Sequence, residues 1–410
     1  MQKKIVTLVL AIITLPFCGL SQNISTKTLQ KNISFLASDK LKGRGTSSAE
    51  ELIAAKFIAT QFREIGLTAF NGSFLKAFSY KKNLSPHDTS TTNSVEKKAN
   101  NVVGFIDNKA PYTIVIGAHY DHLGLGHDHN SLDANPDGKI HNGADDNASG
   151  TAGVIELASY FSKNKKTEPY NFLFICFSGE ELGLLGSKKW CEYPDIELTN
   201  INYMINMDMI GRLNDSTKKL LIYGVGTSPN WVPLIDSLNT SFSLKKDSSG
   251  IGPSDQTSFY LKDIPVLHFF TGQHSDYHKP SDDADKINYK GEAEVLTYIK
   301  QLIEKTFYYP KLSFNKTRNP DTGKGGFKVT MGVMPDYAFE GDGMRIDGVT
   351  EGKPASKAGI LKGDVVKKLG TSEIKSVQDY MKALSNYNKG DTAKIEVLRN
   401  KELKVLSVTF

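Results

Sequence analysis

The stretch TIVIGAHYDH, residues 113–122, decides how the chain is read. Thr113 to Ala118 is an apolar, β-branched run with the character of a buried strand, and it stops at a histidine followed by two further polar groups, Asp121 and His122. Outward from it the pattern repeats. Strand-like runs occur at Asn101–Ile106, Asn171–Phe177, Asn202–Met207, Lys219–Tyr223 and Pro265–Phe270. Helical patterns fall between and after them, at Gly150–Phe161, Leu182–Cys191, Pro229–Leu238 and Asn288–Tyr308. This alternation predicts an α/β sheet with helices on both faces. Nearer the N-terminus, Thr28 to Ala37 reads as a short helix. Ser47 with Glu50 forms a capping-box pattern ahead of an apolar-periodic run to Ile65. The polar segment from Ser79 to Asn100 reads as a loop.

Five segments place carboxylate or imidazole groups at a strand end or in the loop after it: AHYDH (118–122), NGADDNASG (142–150), FSGEELG (177–183), NMDMIG (206–211) and SDYHKPSD (275–282). One such group means little. Five of them, spaced along one sheet, point to a shared site at the carboxyl ends of its strands. The side chains are histidine, aspartate and glutamate without cysteine, a set that suits a hydrolytic zinc site better than a structural Cys-rich one. Each piece also has a plain structural reading. Glu180 and Glu181 suit a helix N-terminus, where carboxylates favour the dipole. Asp145-Asp146-Asn147 suits a turn and cap before the helix at 150.

In order, spacing and residue type, these segments resemble the co-catalytic di-zinc exopeptidase family of bacterial secreted leucyl aminopeptidases. The resemblance runs from about Leu41 to Tyr308 and takes in LKGRG at 41–45 and GPSDQTSF at 252–259. It implies the zinc exopeptidase fold, a mixed, largely parallel sheet sandwiched by helices, and two zinc ions per chain. By position, His119 and Asp208 complete one zinc, Glu181 and His278 the other, and Asp145 bridges both. Asp146 follows the bridge, where the family often has a cis peptide. The resemblance also makes Asp121 the carboxylate that orients His119, Glu180 the general base acting on a zinc-bridged water, and Tyr277 a donor to the oxyanion. Gln256 departs from the histidine frequent at that position. The stretch from Phe70 to Asn100 is too short for the protease-associated insert that the family often carries.

The remaining histidines are less telling. His122, His127, His129 and His141 crowd one loop and read as rim or surface residues, with a loose third zinc site as the alternative. His268 and His274 flank the last ligand segment, and Arg44 reads as structural, with a salt bridge as its expected partner.

With 410 residues, a net charge of +5 and 39% hydrophobic residues, the chain is long enough for a large core and has no basic stripe of the kind that binds nucleic acid. Lys3 and Lys4 precede an apolar run from Ile5 to about Phe17, followed by the small residues Gly19 and Ser21. This reads as a secretory signal over residues 1–21, too short for a membrane span. The expected location is therefore periplasmic or secreted. Cys18 offers a lipoprotein alternative, which Leu15-Pro16-Phe17 serves poorly. Cys176 and Cys191 are expected as two free, buried thiols. No other stretch is suited to cross a membrane.

Composition shifts after Tyr309. The expected organisation is a di-zinc peptidase domain over 22–310, a Pro/Gly-bearing linker over 311–328 and a small β domain over 329–410 with one helix near Val377–Ser385. MGVMP (331–335) and GVTEGKPASKAGILKGDVV (348–366) resemble a bacterial PDZ domain. That resemblance implies capture of peptide C-termini at a loop of Gly332, Val333 and Met334.

The functional expectation is an exported metallo-aminopeptidase acting on peptide substrates. The alternatives are a glutaminyl cyclase of the same fold, a carboxypeptidase or dipeptidase, and a non-catalytic PDZ-based peptide binder.

Overall fold

Eight strands form one twisted sheet: β1 (Leu75–Asn83), β2 (Ser94–Ile106), β3 (Thr113–His119), β4 (Asn171–Phe177), β5 (Ile201–Met207), β6 (Lys219–Tyr223), β7 (Ser243–Asp247) and β8 (Val266–Phe270). Their order is β1-β2-β4-β3-β5-β8-β6-β7. Strands β4, β3, β5 and β8 are parallel neighbours, while β1–β2, β2–β4 and β6–β8 are antiparallel. The computed structural model describes residues 23–83, 94–128, 130–164, 166–317, 329–335, 339, 341–349 and 352–410. The expected signal at 1–21, Cys18, His129 and residues 318–328 of the expected linker lie outside the described residues.

The central strands are buried on both faces, so they read as continuous apolar runs rather than alternating ones. Ile114 and Ile116 of β3 enter a layer with α1 (Thr26–Leu36), α2 (Ala49–Ile65), α3 (Gly150–Lys163), α5 (Trp231–Leu238) and α7 (Tyr289–Thr306). Val115 turns to the other face, among Leu173, Ile175, Trp190 of α4 (Leu185–Glu192) and Phe259 of α6 (Gln256–Tyr260). Cys176 and Cys191 are free and buried. No helix among the described residues is long and apolar enough to cross a membrane.

Three expectations change. In the polar segment from Ser79 to Asn100, residues 79–83 and 94–100 are strand and not loop, paired across β1 and β2 from Leu75↔Val102 to Asn83↔Ser94, and residues 84–93 lie outside the described residues. The outer half of this pairing is solvated, so lysines replace the apolar signature of a strand. The cap of α2 is one residue later than expected, with Ser48 accepting from Glu51 N at 2.9 Å and Glu51 Oε2 accepting from Ser47 N at 2.5 Å. Residues 311–317 pack on the peptidase domain instead of spanning freely. Leu312 N donates to Asn202, and Thr317 N to Tyr260 Oη.

The C-terminal region is a second unit with its own core, including Met331, Ile346, Val366, Ile395 and Val408. Its strands are β9 (Val333–Pro335), β10 (Met344–Val349), β11 (Val365–Leu369), β12 (Ser372–Glu373), β13 (Thr392–Arg399) and β14 (Glu402–Thr409), with helices α8 (Pro354–Lys357) and α9 (Val377–Leu384). Strand β9 lies at the end of the sheet path β14-β13-β11-β10-β9, and Gly332 precedes it with φ +70°.

Candidate metal centre

The candidate ligands gather at the carboxyl ends of the parallel strands. His119 ends β3, Asp208 directly follows β5, Glu180 and Glu181 lie just past β4, and His278 lies in the loop after β8. One carboxylate stands between the two sides. Asp146 Oδ1 is 3.3 Å from His119 Nε2, while its Oδ2 is 3.1 Å from His278 Nε2. On the first side, Asp208 Oδ1 is 3.4 Å from His119 Nε2. On the second, Glu181 Oε2 is 3.2 Å from His278 Nε2. His119, Asp146 and Asp208 can hold one ion, and Asp146, Glu181 and His122 are grouped closely enough to hold another.

Asp145, the expected bridge, does not face these histidines, whereas its neighbour Asp146 does. Asp145 is buried and faces away: its Oδ1 accepts from Gly211 N at 2.7 Å and from the Ser149 hydroxyl at 3.0 Å, and its Oδ2 is 3.2 Å from His274 Nε2. The backbone explains the exchange. Gly143 enters the turn at φ +57°, and Asp146 leaves helical values at φ −104° and ψ 93°. Asp145 N and Asp146 N both donate to Asp282 Oδ2 at 3.0 Å. A Cβ on Gly143 would lie 2.2 Å from Asp146 O and 2.4 Å from the His122 ring, so only glycine fits there.

Asp121 also acts differently from expectation. His119 Nδ1 bonds the Asp121 backbone carbonyl at 3.2 Å, with the carboxylate at 3.8 Å. The carboxylate instead accepts from the Thr46 hydroxyl at 2.7 Å and from Glu180 N at 3.2 Å, so it ties down the backbone of the expected base. His278 Nδ1 is fixed by the Asn130 carbonyl at 2.8 Å. In both imidazoles the outer nitrogen is engaged by a carbonyl, leaving Nε2 directed at the centre.

Sequence reasoning missed His122. It is buried, not at a rim, and its Nδ1 lies 2.8 Å from Glu181 Oε1. The available signal was its place three residues after His119 in AHYDH. His141 is also buried, with its Nε2 2.7 Å from the Ser131 hydroxyl, whereas His127 is exposed. Arg44 is structural as expected, but its partners are the carbonyls of Leu36, Tyr120, Asn142 and Gly143 rather than a carboxylate.

The two adjacent glutamates differ electrostatically. Burial, and then Glu181, Asp208 and Asp255, outweigh His119 and push Glu180 well above the usual carboxylate range. Burial works the same way on Glu181, but His278 and His122 overcome it and hold that group low. Burial also opposes charge on His119, yet Asp208 and Glu180 raise it well above 6.5. With protein groups alone, protons neutralise a surplus of carboxylate. His119 Nε2 and His122 Nε2 are buried and make no hydrogen bond. An oxygen- and nitrogen-only donor set, orphaned imidazole nitrogens and excess negative charge together fit divalent cations of the zinc type.

Beside these groups, a pocket is walled by Met209, Tyr223, Phe270, Gln273 and Tyr277, with His268 among its lining. Burial lowers His268 to about 4, so it is neutral there. Tyr277 stacks on His278, with ring centroids 3.9 Å apart.

A strand-end centre of this kind places one carboxylate between two imidazole–carboxylate clusters, an arrangement suited to holding cations. Residues 101–303 match Peptidase family M28, and residues 316–410 match the PDZ domain. The chain thus carries a region similar to M28 peptidases followed by a region similar to PDZ domains. It is 33% identical over 172 residues to the alkaline phosphatase isozyme conversion protein of Escherichia coli, covering 40% of this chain and 46% of that one. It is 27% identical over 190 residues to aminopeptidase YwaD of Bacillus subtilis, covering 44% and 38%. The chain therefore spans under half the length of these curated relatives. Among solved structures, glutaminyl cyclase of Bacteroides thetaiotaomicron shares the fold with a TM-score of 0.54 at 16% identity, covering 71% of this chain and 100% of that one.

Proposed function

We propose that the chain is an exported aminopeptidase that binds two zinc ions and removes N-terminal residues from peptides. The observation that carries this reading is Asp146, whose two carboxylate oxygens face separate histidines at 3.3 and 3.1 Å. His119 and Asp208 would hold one ion with Asp146, and Glu181 and His278 would hold the other. Bound zinc supplies Lewis acidity, polarising a carbonyl and lowering the pKa of water towards about 7. Glu180 is the proton carrier. Its carboxylate is 3.9 Å from His119 Nε2, and Asp121 fixes its backbone, so it takes a proton from the attacking water and returns it to the leaving amine. Tyr277 donates to the oxygen that gains charge. The PDZ domain captures peptide C-termini next to Gly332, Val333 and Met334, where the short end strand β9 can accept an added strand. The signal-like segment at 1–21 supports export to the periplasm or beyond.

The test uses the zinc-loaded full chain on leucyl and glutaminyl peptides. The expected result is release of free leucine, with Glu180→Gln lowering kcat by about 10²–10⁴-fold while both zinc ions remain bound. Pyroglutamate formation without free amino acid would favour a glutaminyl cyclase instead. A peptide-binding role without catalysis would leave function unchanged in Glu180→Gln.

A further inference from the structure

Asp145 is the residue that the metal site leaves over, yet it is fully buried and all its oxygens are engaged. Oδ1 accepts from Gly211 N at 2.7 Å, three residues after Asp208. Oδ2 meets His274 Nε2 at 3.2 Å, four residues before His278. The Asp145 carbonyl accepts from the Ser149 hydroxyl at 2.7 Å, and the same hydroxyl accepts from Ile210 N at 3.1 Å. One side chain therefore touches both loops that carry ligands on opposite sides of Asp146. The approach to Gly211 leaves no room for a side chain, because a Cβ there would lie 2.9 Å from Asp145 Oδ1.

The His274 end reaches further. The His274 carbonyl accepts from Tyr277 N at 3.1 Å, closing a turn whose last residue adjoins His278. Holding the His274 ring therefore holds Tyr277 and His278. A parallel tie joins the same two loops, from Arg212 to Asp276 at 3.2 Å, but it is partly exposed and correspondingly weaker.

We propose that Asp145 and His274 form a positioning latch that sets the His278 side of the metal centre against the Asp208 side. Neither residue holds an ion or touches substrate. The latch acts through loop geometry, so its loss falls unevenly: the His278–Glu181 site loosens while the His119–Asp208 site, built on strand ends, does not. This rests on the two-zinc reading above.

The experiment is a zinc titration of the full chain by calorimetry, comparing wild type, His274→Ala and His274→Gln, with melting of the zinc-free proteins alongside. Glutamine retains a donor at the position of Nε2. The latch predicts two binding steps in wild type, with one weakened about 10–100-fold in His274→Ala and largely restored in His274→Gln. It predicts little change in zinc-free melting. Two unchanged steps in His274→Ala would overturn the latch. Equal weakening of both steps with a lowered zinc-free melting temperature would also overturn it, by showing a merely structural role. Fewer than two steps in wild type would overturn the two-zinc reading itself.

Discussion

The two halves of the metal centre are built by different means. His119 and Asp208 sit at the ends of neighbouring parallel strands, β3 and β5, whose pairing fixes their separation. Glu181 and His278 sit on loops and are held by side-chain and carbonyl contacts: His122 on Glu181, the Asn130 carbonyl on His278, and His274 through Asp145. Strand ends position ligands through the core, whereas loop ligands need supports of their own. The difference also bears on tolerance. On the loop side His122 already contacts Glu181, which gives that half a second imidazole beside His278.

The sharpest test of this comparison is loss of one histidine from each half. His119→Ala should weaken its zinc by more than the roughly 100-fold upper range seen for supporting residues, and His278→Ala should cost less because His122 can turn towards the ion. Metal affinity measured by competition with a chelator reads both, and equal losses would break the contrast. A smaller effect is expected for His122→Ala alone. It removes a support and not a ligand, so one zinc should weaken about 10–100-fold with the other unchanged.

What the sequence made legible follows the same division. The strand-end residues His119 and Asp208 were readable because each closes a continuous apolar run of strand length. The parallel core and the helices between its strands were readable for the same reason. The choice between Asp145 and Asp146 was not. The turn has no period: Asp146 has φ −104° and ψ 93°, outside helical values, and Asp282 from a distant loop holds both amides. His122 was misjudged because its burial depends on Glu181, 59 residues away. The β1–β2 hairpin was hidden by its solvated outer half, where Glu96, Lys97 and Lys98 occupy ladder positions. The packing of residues 312–317 was not legible because their contacts reach back to Asn202, Thr227 and Tyr260.

The central claim is that Asp146 joins two cation sites. It is tested most directly by counting zinc per chain after saturation and gel filtration, in wild type and in Asp146→Ala. The account predicts two ions in wild type and one or none in the variant. Two ions retained by Asp146→Ala, or a single ion in wild type, would contradict it.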